Sequence, residues 1–171
     1  MRSTRRLARA AAGILALAGW LASGAGCATL PGRARPDAFP RDWKPRTVRM
    51  TVTGYCPCGE CCGWHRNWLL RPVFSSGPLR GRRKDVGVTA SGRRAGRGTV
   101  AADPSLPFGA VVYVPGYGFG RVEDRGGAIR GARLDVFFSS HRAAMAWGRQ
   151  TLDVTVWAPP GRRAPASPGG R

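Results

Sequence analysis

The stretch that decides the fold reads Asp124-Arg-Gly-Gly-Ala-Ile-Arg-Gly-Ala-Arg-Leu-Asp135. It spaces two carboxylates eleven positions apart around three glycines, and its second aspartate lies inside an apolar run. Leu134, Val136 and Phe137 surround Asp135, although aspartate is depleted in strands and an unpaired buried charge is costly. The whole chain holds only 9 acidic residues against 28 lysines and arginines. An acid in so apolar a strand points to chemistry at Asp135.

Strand signals dominate on both sides of this stretch. The run Val48-Arg-Met-Thr-Val-Thr53 alternates apolar and polar residues, as a half-buried strand does. Glycine and proline mark nearly every junction between apolar runs. Further strands are predicted over residues 99–102, 110–114, 119–124, 134–138 and 151–157.

One helix is predicted, from His141 to Trp147, with Ser139 or Ser140 as its cap and Gly148 at its end. Six short strands and one short helix indicate an all-β fold. A small closed barrel is favoured because closure removes the edges that such short strands would otherwise expose. Residues 64–86 carry no strand pattern and are interpreted as a basic inserted surface loop.

The two ends of the chain are predicted to lie outside the barrel. A basic start followed by the apolar run Ala10–Leu21 predicts an export signal over residues 1–27, because the run is too short to span a bilayer. The sequence Gly24-Ala-Gly-Cys27 resembles a bacterial lipobox, in which Cys27 would be lipidated. Gly24 stands where leucine is usual, so ordinary signal-peptidase cleavage is the alternative. A flexible linker over residues 28–46, the barrel over 47–158 and a disordered tail over 159–171 complete the predicted organisation.

The formal net charge of +19 indicates either a polyanionic partner or an arginine-rich composition on a solvated surface. Export to the periplasm or cell envelope favours anionic wall polymers or lipid headgroups over nucleic acid. The chain also lacks the aromatic stacking stripe that single-stranded nucleic acid would use. We expect a monomer that contacts the membrane only through a lipid anchor, as an outer-membrane lipoprotein would.

Four cysteines lie within seven positions, in Cys56-Pro-Cys-Gly-Glu-Cys-Cys62. An even number of cysteines in an oxidising compartment favours two local disulfides among Cys56, Cys58, Cys61 and Cys62. A tetrahedral zinc site and free thiols are the alternatives. Adjacent Cys61 and Cys62 cannot easily point at one metal. The cluster is therefore predicted to hold a loop in place, without a metal and without any cofactor.

Six short motifs follow one another along the second half of the chain. They are Gly87-Val-Thr-Ala-Ser-Gly92, Val100-Ala-Ala-Asp-Pro104, Leu106-Pro-Phe-Gly109, Val112-Tyr-Val-Pro-Gly-Tyr-Gly118, Glu123-Asp-Arg-Gly-Gly-Ala-Ile-Arg-Gly131 and Leu134-Asp-Val-Phe137. Together they resemble the 3D domain, a family named for three aspartates. It is found in membrane-bound lytic transglycosylase A and in smaller cell-wall enzymes related to resuscitation-promoting factors. The resemblance runs from about Arg49 to Val156 and leaves the inserted loop unmatched.

The resemblance implies a six-stranded double-psi β-barrel that cleaves peptidoglycan between N-acetylmuramic acid and N-acetylglucosamine. The three aspartates correspond to Asp103, Asp124 and Asp135. The role of catalytic acid and base carries over to Asp135, with Asp124 as a supporting neighbour. The second domain that flanks the groove of membrane-bound lytic transglycosylase A has no counterpart in the matching stretches.

A lytic transglycosylase needs only one such carboxyl, because the muramyl C6 hydroxyl attacks its own anomeric carbon and gives a 1,6-anhydro sugar. That carboxyl must hold a proton near neutral pH, and an apolar wall and a nearby carboxylate both raise its pKa. Asp135 beside Asp124 suits this requirement.

Four further residues are predicted to bind the glycan: Tyr55, Thr89, Gly126 and Gly127. The glycines would let a sugar approach the backbone closely. Ordinary structural roles compete with these assignments, since Asp103 precedes a proline, Asp124 heads a glycine turn and tyrosines often pack in cores. The alternative function is a barrel that binds peptidoglycan without cutting it.

Overall fold

The computed structural model of the protein describes residues 42–160. The predicted export signal with Cys27, nearly all of the linker and the tail from residue 161 lie outside the described residues. The elements are β1 (Arg46–Tyr55), α1 (Gly59–Cys62), β2 (Trp64–Arg66), β3 (Pro72–Phe74), β4 (Thr99–Ala102), β5 (Val111–Val114), β6 (Gly118–Asp124), β7 (Arg133–Phe137), α2 (His141–Trp147) and β8 (Gln150–Trp157). The first strand begins at Arg46, which falls at the end of the predicted linker.

Six strands close into a barrel in the order β1-β7-β4-β6-β5-β8. Strand β1 runs parallel to β7 and strand β4 runs parallel to β6, whereas the other neighbours are antiparallel. Each parallel pair needs a crossover connection, because a tight hairpin joins only antiparallel strands. This mainly-β, six-stranded barrel confirms the predicted fold class and is consistent with a double-psi barrel.

Apolar side chains at alternate positions fill the barrel. In β1, Val48, Met50 and Val52 are buried, while the residues between them are exposed or half-buried. The other strands contribute mainly β-branched residues, which suit a pleated sheet: Val100, Val112, Val114, Val122, Val136, Val154 and Val156. A slip of one residue would move a whole apolar set to the outside, so this core fixes the strand register.

Helix α2 packs over the end of β1 and has the predicted bounds. Ser140 Oγ accepts a hydrogen bond from the Ala143 N–H, and Gly148 follows the last turn with a φ of 67°. The close packing depends on Gly54 in β1, where a Cβ would lie 2.9 Å from a ring carbon of Phe138 and 3.0 Å from the carbonyl oxygen of Ala144. The middle of α2 is thereby held against the end of β1.

The prediction of a strandless loop over residues 64–86 is wrong. Strands β2 and β3 pair antiparallel there, with Trp64 opposite Phe74 and Arg66 opposite Pro72. Three-residue strands are too short to show the alternation of apolar and polar residues that identifies a strand. Pro72, the first residue of β3, also lowers the strand prediction, because proline is disfavoured within sheets. The single turn α1 was also missed; Cys58 caps it by accepting a hydrogen bond from the Cys61 N–H. None of the helices between residues 42 and 160 is long and apolar enough to span a membrane.

Candidate functional site

A row of paired residues crosses four neighbouring strands at one end of the barrel. Thr53 of β1 lies opposite Asp135 of β7, and Asp135 lies opposite Ala101 of β4. Ala101 in turn lies opposite Asp124 of β6. Directly paired residues on neighbouring strands project to the same face of a sheet. The register therefore places both aspartates on one face, on either side of a single alanine.

A strand irregularity brings Asp124 into this row. Pairing of β4 with β6 is regular up to Val122, after which Ala101 pairs with Asp124 and Glu123 is skipped. Such irregularities re-aim side chains and are common beside functional sites. Glu123 is instead buried, where it accepts a hydrogen bond from the Thr99 hydroxyl at 3.1 Å.

Asp135 is half-buried and accepts one hydrogen bond from a neighbouring side chain. The Thr53 hydroxyl donates to Asp135 Oδ1 at 2.8 Å. Burial raises the pKa of Asp135 to about 6; the Thr53 hydrogen bond lowers it and the charge of Asp124 raises it further. A carboxyl with this pKa can both hold and release a proton near neutral pH, as a general acid and base must.

Asp124 is held by three donors. The Tyr55 hydroxyl donates to Oδ2 at 3.1 Å, and the backbone N–H groups of Ala90 and Arg125 donate to Oδ1 at 2.9 Å and 2.8 Å. Burial, together with the charge of Asp124, raises the pKa of Tyr55, so its hydroxyl stays a donor. The carboxylate is therefore fixed in position beside Asp135.

Both aspartates line a groove of about 310 Å³, at the small end of the range for ligand sites. Tyr55, Gly126 and Gly127 also line it, so these three predicted residues lie together with the two acids. The other walls come from the cysteine segment and from the inserted segment, and include Cys61, Cys62, Phe74 and Lys84. Lys84 Nζ lies 4.4 Å from the centre of the Phe74 ring. The basic insertion thus supplies a cation to the groove.

Two of the residues predicted for catalysis or glycan binding do not line the groove. Asp103 accepts hydrogen bonds from the backbone N–H groups of Ser105 at 2.8 Å and Gly131 at 3.0 Å, and these bonds, the Ser105 bond most strongly, lower its pKa. Thr89 is 6% exposed and closes a turn by exchanging hydrogen bonds with the backbone of Arg93. Asp103 therefore fixes the loop between β6 and β7, and Thr89 fixes a turn.

The cysteine segment differs from the disulfide prediction. All four cysteines of residues 42–160 are thiols, and the Cys56 and Cys61 sulfurs are 3.7 Å apart, well beyond the disulfide bond length of about 2.05 Å. Cys62 turns away and donates to the carbonyl oxygen of Cys56 at 3.2 Å. His141, predicted only to start a helix, lies with Nδ1 3.5 Å from the sulfurs of both Cys58 and Cys61.

Sequence reasoning missed Thr53 and His141 as site residues. Thr53 reads as an ordinary polar position of an alternating strand, and only the pairing of β1 with β7 gives it a partner. His141 is 80 positions from Cys61, and only the docking of α2 beside β1 brings the two together. No local motif signals either contact.

Comparison with known proteins matches residues 98–158 to the 3D domain family. The chain is 43% identical over 75 residues to the cell wall-binding protein YocH of Bacillus subtilis (strain 168). The aligned part covers 41% of this chain and 26% of YocH. It is 40% identical over 58 residues to the putative cell wall shaping protein YabE of the same organism. That aligned part covers 33% of this chain and 14% of YabE. The chain therefore spans only a minor part of either relative. The family match includes all three aspartates and excludes the four cysteines.

The substitution Asp135→Asn should stabilise the folded protein at about pH 8 by about 1–3 kcal/mol and change stability little at about pH 4. The folded-state pKa of about 6 lies above the ordinary 3.8, so the folded state holds the proton more tightly. The cost of the Asp135 charge therefore appears as pH rises through this window, and asparagine avoids it. Urea unfolding of both proteins at the two pH values measures the difference.

The matched control is Asp153→Asn, since Asp153 is an exposed partner of Arg49 at 3.3 Å. We expect its effect to stay below about 1 kcal/mol at both pH values. An Asp135→Asn effect that is equal at the two pH values, or destabilising at the higher one, would contradict the buried-charge interpretation.

Proposed function

We propose that this chain, a 3D-domain protein over residues 98–158, is an exported cell-wall enzyme that cleaves peptidoglycan glycan strands as a lytic transglycosylase. The bond cut lies between N-acetylmuramic acid and N-acetylglucosamine, and the product ends in a 1,6-anhydro sugar. One observation carries the proposal: Asp135, with a pKa of about 6, lies in a groove beside a second fixed carboxylate.

Asp135 would act first as the acid and then as the base. Its proton passes to the glycosidic oxygen as the bond from that oxygen to the anomeric carbon breaks. The muramyl C6 hydroxyl oxygen then bonds to the same carbon, and its proton passes to the Asp135 carboxylate. The carboxyl is regenerated and no water is consumed. Between the two steps the Thr53 hydroxyl, 2.8 Å from Oδ1, stabilises the carboxylate.

Asp124 supports this cycle without transferring a proton. Its negative charge raises the pKa of Asp135 and so favours the protonated starting state. Positive charge also develops at the anomeric carbon during glycoside cleavage, and a carboxylate fixed in the same groove stabilises it. The three donors to Asp124 hold that charge in place before the reaction begins.

Charge and backbone shape in the groove suit peptidoglycan. Lys84 brings a cation to the groove, and the exported chain keeps a formal charge of +15 once the four arginines of the export signal are lost from the total of +19. This charge would attract the lactyl and peptide carboxylates of the wall. Gly126 and Gly127 form a wall without side chains, which would let a sugar ring approach the backbone. The names of the two relatives, one cell wall-binding and one putatively cell wall shaping, support the same location. Export, with a lipid anchor at Cys27 and a monomeric state, belongs to this proposal.

The first test is digestion of purified sacculi, with the released fragments identified by mass spectrometry. Wild-type protein should release muropeptides that end in 1,6-anhydro-muramic acid. Loss of the acid and base in Asp135→Asn should reduce the release rate by about 10²–10⁴-fold. The control Asp153→Asn should keep the wild-type rate, because this exposed residue pairs with Arg49 away from the groove lining.

Two other outcomes would overturn the proposal. Fragments with reducing ends would identify a hydrolase that uses water. No soluble fragment, together with cosedimentation of the protein with sacculi, would identify a module that binds the wall without cutting it.

The second test is the pH dependence of release from sacculi. The rate should fall as pH rises through about 6, since the acid form of Asp135 is then lost. Thr53→Val removes a hydrogen bond that lowers the pKa of Asp135, so the fall should move to higher pH. Asp124→Asn removes a charge that raises this pKa, so the fall of its residual activity should move to lower pH. Shifts in the same direction for both variants would exclude Asp135 as the titrating group.

A further inference from the structure

The cysteine segment and the start of α2 bring four ligand atoms to one point. These are the sulfurs of Cys56, Cys58 and Cys61 and Nδ1 of His141, and all lie within 4.8 Å of one another. The Cys56 and Cys61 sulfurs are 3.7 Å apart. His141 Nδ1 is 3.5 Å from the sulfurs of Cys58 and Cys61.

These three separations match edges of a zinc tetrahedron, and the other three pairs of ligand atoms also lie within 4.8 Å. Zinc binds sulfur at about 2.3 Å and imidazole nitrogen at about 2.0–2.1 Å, so a regular tetrahedron places two sulfurs about 3.8 Å apart and sulfur and nitrogen about 3.6 Å apart. The Cys56–Cys61 sulfur pair agrees with the first value to within about 0.1 Å. The distances from His141 Nδ1 to the sulfurs of Cys58 and Cys61 agree with the second value to within about 0.1 Å.

We propose that Cys56, Cys58, Cys61 and His141 bind one zinc ion in a closed structural site. Soft thiolates with an imidazole in tetrahedral arrangement select zinc over magnesium or calcium, which prefer oxygen ligands. Four protein ligands fill the tetrahedron and leave no position for water or substrate, so the site is structural. This proposal does not depend on glycan cleavage.

The surroundings of the four ligands support the assignment. Glu60 Oε2 lies 3.2 Å from His141 Nε2, and a ligating histidine commonly donates its second ring N–H to a carboxylate in this way. The Cys61 N–H points at the Cys58 sulfur at 3.4 Å, across the two-residue spacing typical of a zinc ligand pair. Cys62, which cannot share the metal with its neighbour Cys61, bonds instead to a backbone carbonyl.

The zinc ion would join the cysteine segment, which forms one wall of the groove, to the start of α2, which lies outside the groove lining. Cys56, Cys58 and Cys61 follow β1, whereas His141 begins α2 some 80 positions later. Cys61 and Cys62 line the groove together with Tyr55, which donates to Asp124. A metal at this point would hold the groove wall beside the acids.

The test is the metal content of the full chain, purified without chelator or added reductant. We expect one zinc ion per chain by plasma mass spectrometry. Cobalt(II) replacement should give the strong visible absorption of a tetrahedral site and a thiolate-to-cobalt charge-transfer band with the intensity of three thiolates. Cys58→Ser and His141→Gln should lose most of the zinc. The matched control Cys62→Ser should keep one zinc ion and the wild-type cobalt spectrum.

Three results would overturn the proposal. The first is a wild-type chain that holds no zinc and whose mass before reduction is lower than its mass after reduction by two hydrogens for each cysteine pair. This result would identify disulfides. The second is zinc loss in Cys62→Ser equal to that in Cys58→Ser, which would make Cys62 a ligand. The third is a charge-transfer intensity that matches four thiolates; this readout uses the wild-type chain and stands even if the ligand variants do not fold.

Discussion

The pairing of β4 between β7 and β6 is the constraint on which the site depends. It holds Asp135 and Asp124 on the same face, with only the methyl group of Ala101 between them. The buried valines on the other face fix that pairing, because a slip of one residue would expose them. The core thus places a carboxyl group in a half-buried position, where desolvation disfavours its charged form. The raised pKa of Asp135 is a direct consequence of how the barrel packs.

The groove is completed by segments that are not barrel strands. The cysteine segment after β1 forms one wall and carries Cys61 and Cys62 into the groove, while the insertion with β2 and β3 adds Phe74 and Lys84. For the proposed substrate, a long and anionic peptidoglycan strand, such additions would give a short barrel more contact area and positive charge. The family match covers the acids, and the added walls are where this chain would set its own substrate preference.

The six barrel strands, the bounds of α2 and the position of Asp135 follow from local sequence, because alternation, capping residues and a misplaced acid are all signals within a few residues. The contacts that define the site are long-range. Thr53 meets Asp135 only through the parallel pairing of β1 with β7, and His141 meets the cysteines only because α2 docks at Gly54. Asp103 completes the three-aspartate pattern in sequence, yet its carboxylate accepts hydrogen bonds from the backbone N–H groups of Ser105 and Gly131 and lies outside the groove lining.

The most direct test of this account is a carbon-13 NMR titration of the Asp135 side-chain carboxyl in the folded protein. Burial among apolar strands predicts a midpoint of about 6, and the Asp124→Asn protein should show a lower midpoint because one source of the increase is removed. A midpoint near 3.8, the ordinary value for aspartate, would contradict the account. Asp135 would then be ionised throughout the neutral range and could not supply the proton that glycan cleavage needs.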